Sequence, residues 1–85
     1  MEIKLRLPQG DKGTCAEITG QDINRDNVFR ALRSDEVKAV RGFLQADYQS
    51  KYIGDPDYYM IEFWNDADDE KVEVAMDKIR EIMTL

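Results

Sequence analysis

The sequence YYMIEFW, residues 58–64, has the strongest strand character in this 85-residue chain and decides its fold. Six of its seven side chains are apolar or aromatic, and Glu62 carries the single charge. Apolar side chains on both faces are typical of a strand in the interior of a sheet, where neither face is left in water. We therefore expect residues 58–64 to form a central strand.

The segment before this strand is compatible with two structures. Residues 44, 46, 48, 50 and 52 alternate with four strongly polar residues, which favours a strand. The turn residues at 54–57 would close a hairpin to the central strand. The apolar spacing from Val37 to Tyr48 also fits a helix. We predict a strand over residues 42–53 and retain the helix as the alternative.

The N-terminal part of the chain predicts a hairpin. Ile3, Leu5 and Leu7 alternate with charged residues, which is the period-2 pattern of a half-buried strand. A loop rich in turn residues over 8–13 leads to a second short strand over 14–19. Two strands joined by such a loop pair most simply as an antiparallel hairpin.

Two helical segments complete the pattern. Apolar residues recur at helical spacing over 23–40, and Ser34 interrupts them like a new N-cap. We expect either one kinked helix or two short helices that meet there. A second helical segment opens within residues 65–70 and runs to the C-terminus. Its apolar stripe is Val72, Met76, Ile79 and Met83, spaced four, three and four residues apart.

These elements form a single α+β domain over residues 1–85 in the order ββαββα. We expect an antiparallel sheet of about four strands with two helices on one face. If residues 42–53 are helical, the fold has three strands and three helices instead. Eighty-five residues suffice for one core and are too few for two.

The residue types that carry common catalytic chemistry are missing. The chain has no histidine and a single cysteine, Cys15. Imidazole bases, Cys/His and Ser/His/Asp nucleophile systems and most zinc sites are thereby excluded. The glycine spacing also fits no phosphate-binding loop. We therefore expect no enzyme activity, no catalytic residue, no cofactor and no metal site.

The N-terminus and the hydropathy pattern bear on the compartment. Residues 1–7 alternate charged and aliphatic side chains, unlike the continuous apolar core of a secretion signal. No apolar run approaches the ~20 residues of a membrane span. With one cysteine and no disulfide, we expect a cytoplasmic protein that is not associated with a membrane.

Four acids precede the last helix: Asp66, Asp68, Asp69 and Glu70. Carboxylates at this spacing offer oxygens to a hard cation, but a calcium loop also needs a turn glycine and a distant glutamate, which this segment lacks. Acids in a first helical turn satisfy free amides and oppose the positive end of the helix dipole. We favour a helix N-terminus over a metal site.

The net charge of −6 is concentrated in the C-terminal third, because residues 1–54 carry +1 and residues 55–85 carry −7. On the last helix, acids recur at i, i+4 as Asp69, Glu73, Asp77 and Glu81, and we call these four the acidic ridge. Its three like-charge pairs cost roughly 0.2–0.5 kcal/mol each. The ridge predicts either a solvated face or a surface for a basic partner, and the acidity disfavours direct nucleic-acid binding.

The central strand predicts a second surface. With its odd-numbered side chains in the core, alternation places Tyr58, Met60 and Trp64 on the outer face of the sheet, beside Gln45, Asp47 and Gln49. Tyr and Trp carry about 150–250 Å² each, so this face is covered either by another part of the chain or by a second molecule. We predict a homodimer or a partner contact here.

Together these features predict a non-catalytic protein-interaction module. It would self-associate as a homodimer, or bind a partner such as a basic protein surface, through the aromatic sheet face and the acidic C-terminal helix. One alternative is an acidic, nucleic-acid-mimicking inhibitor of a basic protein. Another is a carboxylate-dependent enzyme, since Glu17 and Glu62 lie on predicted strands.

Overall fold

The strands and helices follow the predicted α+β class with an antiparallel sheet. A computed structural model describes residues 1–48 and 56–85. The elements are β1 (Glu2–Arg6), β2 (Cys15–Gly20), α1 (Arg25–Leu32), α2 (Asp35–Lys38), β3 (Arg41–Tyr48), β4 (Asp57–Phe63) and α3 (Asp69–Met83). Neighbouring strands are antiparallel and follow the order β1-β2-β4-β3.

The strand β4 lies between β2 and β3, as the apolar character of YYMIEFW predicts. Ile61 is the Cα partner of Ala16 in β2, and Tyr59 is the partner of Ile18. Along the chain, α1 and α2 separate β2 from β3. In the sheet, the last strand, β4, lies between β2 and β3. On the far side of β2, β1 forms an edge of the sheet.

Helices cover one face of this sheet. Tyr59, Ile61 and Phe63 of β4 are buried in the same core as α3. The helix contributes Val72, Ala75, Met76, Ile79, Ile82 and Met83. Burying each large aliphatic side chain stabilises the fold by roughly 1.5–3 kcal/mol. The other side of α3 is charged, and no helix in the described part of the chain is long and apolar enough to cross a membrane.

The predicted order ββαββα counts one helix too few, and of the two alternatives for residues 23–40 the structure has the two short helices that meet at Ser34. The segment predicted over 23–40 forms α1 and α2, so the described residues contain three helices. Ser34 has an extended backbone (φ −68°, ψ 148°), and its hydroxyl donates to the Ala31 carbonyl 2.6 Å away. This break lies where Ser34 interrupts the apolar pattern of the sequence. The short helix α2 then buries Val37 completely.

The segment with two interpretations has strand backbone as far as the structure describes it. β3 pairs Gln45 with Ile61 and Ala46 with Met60, after a register shift that follows Arg41. The strand partner of Met60 is Ala46, whereas Gln45 and Asp47 pair with Ile61 and Tyr59. The predicted pairing of β3 with β4 is therefore wrong by one residue. The third helix comes from the break at Ser34 and not from this segment. Residues 49–53 of the predicted strand lie outside the described residues.

Ile79→Ala tests the packing of α3, because it truncates a fully buried side chain of the apolar stripe. We expect the free energy of unfolding to fall by about 2–5 kcal/mol, since transfer energy is lost and a cavity remains. Urea denaturation followed by circular dichroism measures the change. Val74→Ala is the control on the same helix: Val74 is 54% exposed, so the effect should stay within about 0.5 kcal/mol. Equal losses would contradict this packing.

Candidate functional site

The acidic ridge lies on the solvent side of α3. All four of its side chains are exposed, because the opposite side of the helix holds the buried stripe. The i, i+4 spacing sets successive positions ~6 Å apart along the helix axis. Arg80 lies 3.3 Å from Asp77, and Lys78 lies 3.5 Å from Glu81. Among the described side chains, Asp69 and Glu73 form no ion pair.

The C-terminal half of the ridge borders a hollow between α2 and α3. This hollow has a volume of about 250 Å³ and is lined by Glu36, Val74, Asp77, Lys78 and Glu81. Three of these five residues are acidic and one is basic. The negative surface of α3 therefore continues onto α2.

The acids at 66–70 begin α3, as the sequence predicts. Asp68 is the N-cap, and its carboxylate accepts the backbone N–H of Glu70 at 2.8 Å. Asp69 and Glu70 follow in the first turn, where they oppose the positive end of the helix dipole. Within the described residues, no group of three or more His, Cys, Asp or Glu side chains is placed to hold a metal ion.

Tyr58 and Met60 lie on the face of the sheet opposite the helices, and both are half-buried. The Tyr58 hydroxyl donates to the Glu17 carboxylate at 2.5 Å. A guanidinium nitrogen of Arg6 lies 3.8 Å from the Met60 sulfur, and another lies 4.0 Å from Glu17. Both residues of the predicted aromatic face therefore already have polar partners within the chain.

Trp64 lies apart from Tyr58 and Met60. The strand β4 ends at Phe63, and the Trp64 backbone N–H donates to the carbonyl of Val40 at 2.9 Å. Its side chain is 43% exposed and lines a cleft between β1 and α3. The three residues predicted to share one face therefore lie in two places.

This β1–α3 cleft has a volume of about 490 Å³. Its apolar lining includes Leu5, Leu7, Trp64 and Val72, and its acidic lining consists of Asp69 and Glu73. Six large apolar side chains are exposed in the described part of the chain, and Leu5, Leu7 and Trp64 are three of them. The alternation of Leu5 and Leu7 with charged residues predicts a strand. The sequence pattern does not reveal that α3 leaves these two side chains uncovered.

Among the described side chains, those of Cys15 and Tyr58 have raised pKa values. Burial raises the pKa of the Cys15 thiol, although the nearby charge of Arg6 opposes the shift. Burial and the hydrogen bond to Glu17 raise the pKa of Tyr58 to about 12. Both shifts favour the neutral form of the group. Neither side chain is therefore activated as a nucleophile or as a base at neutral pH.

No protein-family model matches the chain, and neither does any curated protein or solved structure. The surfaces are therefore compared by geometry and charge. The acidic ridge and the β1–α3 cleft share Asp69 and Glu73, which joins them into one continuous surface. This combined surface is the candidate site.

Glu17→Gln tests the contact with Tyr58. The pKa of Tyr58, about 12, lies above the value of ~10 for a tyrosine in an unfolded chain. The stabilisation by its neutral hydroxyl is therefore complete below pH ~10 and is lost as the pH rises toward the folded-state value. Removing the Glu17 charge should lower the pKa of Tyr58. Absorbance titration measures it, with Tyr58→Phe to assign the transition; an unchanged curve in Glu17→Gln would contradict the contact.

The reactivity of Cys15 tests its burial. The side chain is fully buried in β2, and its thiol has a raised pKa. Because the thiolate is the reactive form, we expect a thiol reagent to modify the native protein at least about tenfold more slowly than the urea-unfolded chain. A chromogenic disulfide reagent measures both rates. Similar rates in the two states would show that the thiol is accessible in the native protein.

Proposed function

We propose that the chain is a non-catalytic protein-interaction module that binds a basic protein surface through α3. The observation that carries this proposal is the acidic ridge, in which four exposed carboxylates follow one another at i, i+4 along a 15-residue helix, each turned by about 40° around the helix axis from the one before it. Packing of the opposite side against the sheet holds the helix in one orientation. The carboxylates are therefore presented as a fixed row.

The side chains of the acidic ridge are not part of the hydrophobic core. Its four side chains are exposed, and its three like-charge pairs together oppose helix formation by about 1 kcal/mol. Arg80 and Lys78 offset part of this cost at Asp77 and Glu81 only. A basic partner would supply the missing cations along the whole row, and complementary charge also accelerates association.

The residues of the site support binding rather than catalysis. The chain has no histidine, and the raised pKa values of Cys15 and Tyr58 keep both groups neutral. Asp69 and Glu73 lie one turn apart on a single helix at the rim of an open cleft.

Self-association through the sheet face has weaker support. Tyr58 and Met60 have partners within the chain, and Trp64 lies in the β1–α3 cleft. Two copies that each carry a net charge of −6 also repel one another. Light scattering on the wild type and on Met60→Ala distinguishes a homodimer from a monomer that binds other proteins.

The regular spacing of the ridge favours one particular class of partner. A row of charges at ~6 Å intervals resembles a charged polymer backbone, so a protein with a nucleic-acid-binding groove would fit it. In that case the chain is an inhibitor that mimics nucleic acid. Competition between the chain and duplex DNA for a basic DNA-binding protein would separate this function from simple adhesion.

The double variant Glu73→Gln/Asp77→Asn tests the ridge with a decalysine peptide as the basic probe. Two exposed ion pairs contribute up to about 1 kcal/mol each, so we expect the affinity at low salt to fall by about five- to thirtyfold. Fluorescence anisotropy of labelled decalysine at low and high salt measures the loss. The salt dependence should weaken in parallel, since neutralised charge no longer contributes.

Glu2→Gln/Asp11→Asn is the matched control. It removes the same number of charges from exposed positions outside α3 and gives the same net charge. At physiological ionic strength we expect it to change the affinity by less than about twofold, because exposed charges more than ~8 Å away are largely screened there. Equal weakening in the two double variants would mean that only net charge matters, and the proposal would fail.

A further inference from the structure

We infer that the β1–α3 cleft binds a basic amphipathic helix of a partner protein. The inference rests on the proposed function and names the segment of the partner that the site takes. In this arrangement apolar side chains of the helix enter the cleft, and its Lys or Arg side chains pair with Asp69 and Glu73. Helix binding in an apolar groove is a common mode of peptide recognition.

The helical layer leaves Leu5 of β1 partly uncovered, although Ile3 of the same strand packs against the core. On β2, Ala16 and Ile18 are fully buried beneath the helices. Their neighbours on β1 follow in register, because Leu5 pairs with Ala16 and Ile3 with Ile18. Leu5 is nevertheless 37% exposed. The apolar face of the sheet therefore continues past the edge of the layer that covers it.

The uncovered area lies beside the layer of helices. The helix α3 packs against α1 and α2, and the cleft lies between α3 and β1. A helix placed here would extend the layer by one position. Of β1, Leu5 lines the cleft, and Leu7 lines it directly after the end of the strand, whereas Ile3 is half-buried and packs against the core.

The acidic rim of the cleft selects a basic occupant. Asp69 and Glu73 are the charged residues in the described lining of the cleft, and both are acidic. Within the described side chains neither forms an ion pair. A second copy of this chain would bring a net charge of −6 to this rim. A basic segment brings the opposite sign.

The apolar content of the cleft separates this inference from charge attraction alone. Leu7 is 66% exposed and Trp64 is 43% exposed, and they meet Leu5 and Val72 at one place. Clustered exposed apolar side chains indicate a binding surface, whereas single ones do not.

Three eleven-residue peptides without tryptophan test the inference. The first contains Leu, Lys and Ala with Leu at helical spacing, the second scrambles that composition, and the third replaces Lys by Glu. Trp64 is the single tryptophan of the chain, so its emission reports on the cleft directly. We expect the first peptide to shift the Trp64 emission to shorter wavelength and to bind about tenfold more tightly than the scrambled one, which equals ~1.4 kcal/mol. The acidic peptide should not bind.

Leu7→Ser and Glu73→Gln should each weaken binding of the first peptide about three- to tenfold, as truncation of a contributing interface residue does. Both residues are exposed, and urea denaturation checks that the variants fold. Leu85→Ser and Glu2→Gln are matched controls at exposed positions outside the cleft and the acidic ridge, and they should change the affinity by less than about twofold.

The outcomes separate this inference from the proposed function. If both Lys peptides bind equally without moving the Trp64 emission, or if Leu7→Ser has no effect, the helix site in the cleft is wrong while the basic-partner proposal stands. If decalysine and both Lys peptides fail to bind at low salt, both are wrong.

Discussion

The packing of α3 against β4 is the interaction on which the rest of the structure depends. Ile61 and Phe63 of β4 meet Met76 and Ile79 of α3 in one core, and all four are almost fully buried. Interiors are close-packed, so this contact fixes the rotation of the helix about its own axis. The same rotation turns the acidic ridge to solvent and places Asp69 and Glu73 at the rim of the β1–α3 cleft. One apolar contact thus positions the whole charged surface.

Much of the fold follows from local patterns in the sequence. The central position of β4 follows from YYMIEFW, and the stripe of α3 follows from residues spaced three and four apart. The break at Ser34 is also local, since a hydroxyl that bonds to the preceding turn competes with the helix. The register of β3 against β4 does not follow from the local sequence of either strand. It depends on a register shift after Arg41, and alternation along one strand carries no information about such a shift.

The candidate site divides in the same way. The acidic ridge follows from i, i+4 spacing on a single helix, so the sequence is sufficient to find it. The β1–α3 cleft joins residues 5 and 7 to residues 64–73, and no pattern within one segment connects them. Alternation extended past Phe63 predicts Trp64 on the outer face of the sheet, but β4 ends at Phe63. The Trp64 backbone N–H instead donates to Val40, which ends the phase of the strand.

Mutual repulsion along the ridge couples folding to the ionic surroundings of the chain. Any cation that accumulates beside α3 lowers the electrostatic free energy of the native state more than that of the unfolded chain, where the same carboxylates are farther apart. Thermodynamic linkage then requires the melting temperature to rise with ionic strength, and further with a bound polycation. The chain would therefore be most resistant to heat and to proteases while occupied.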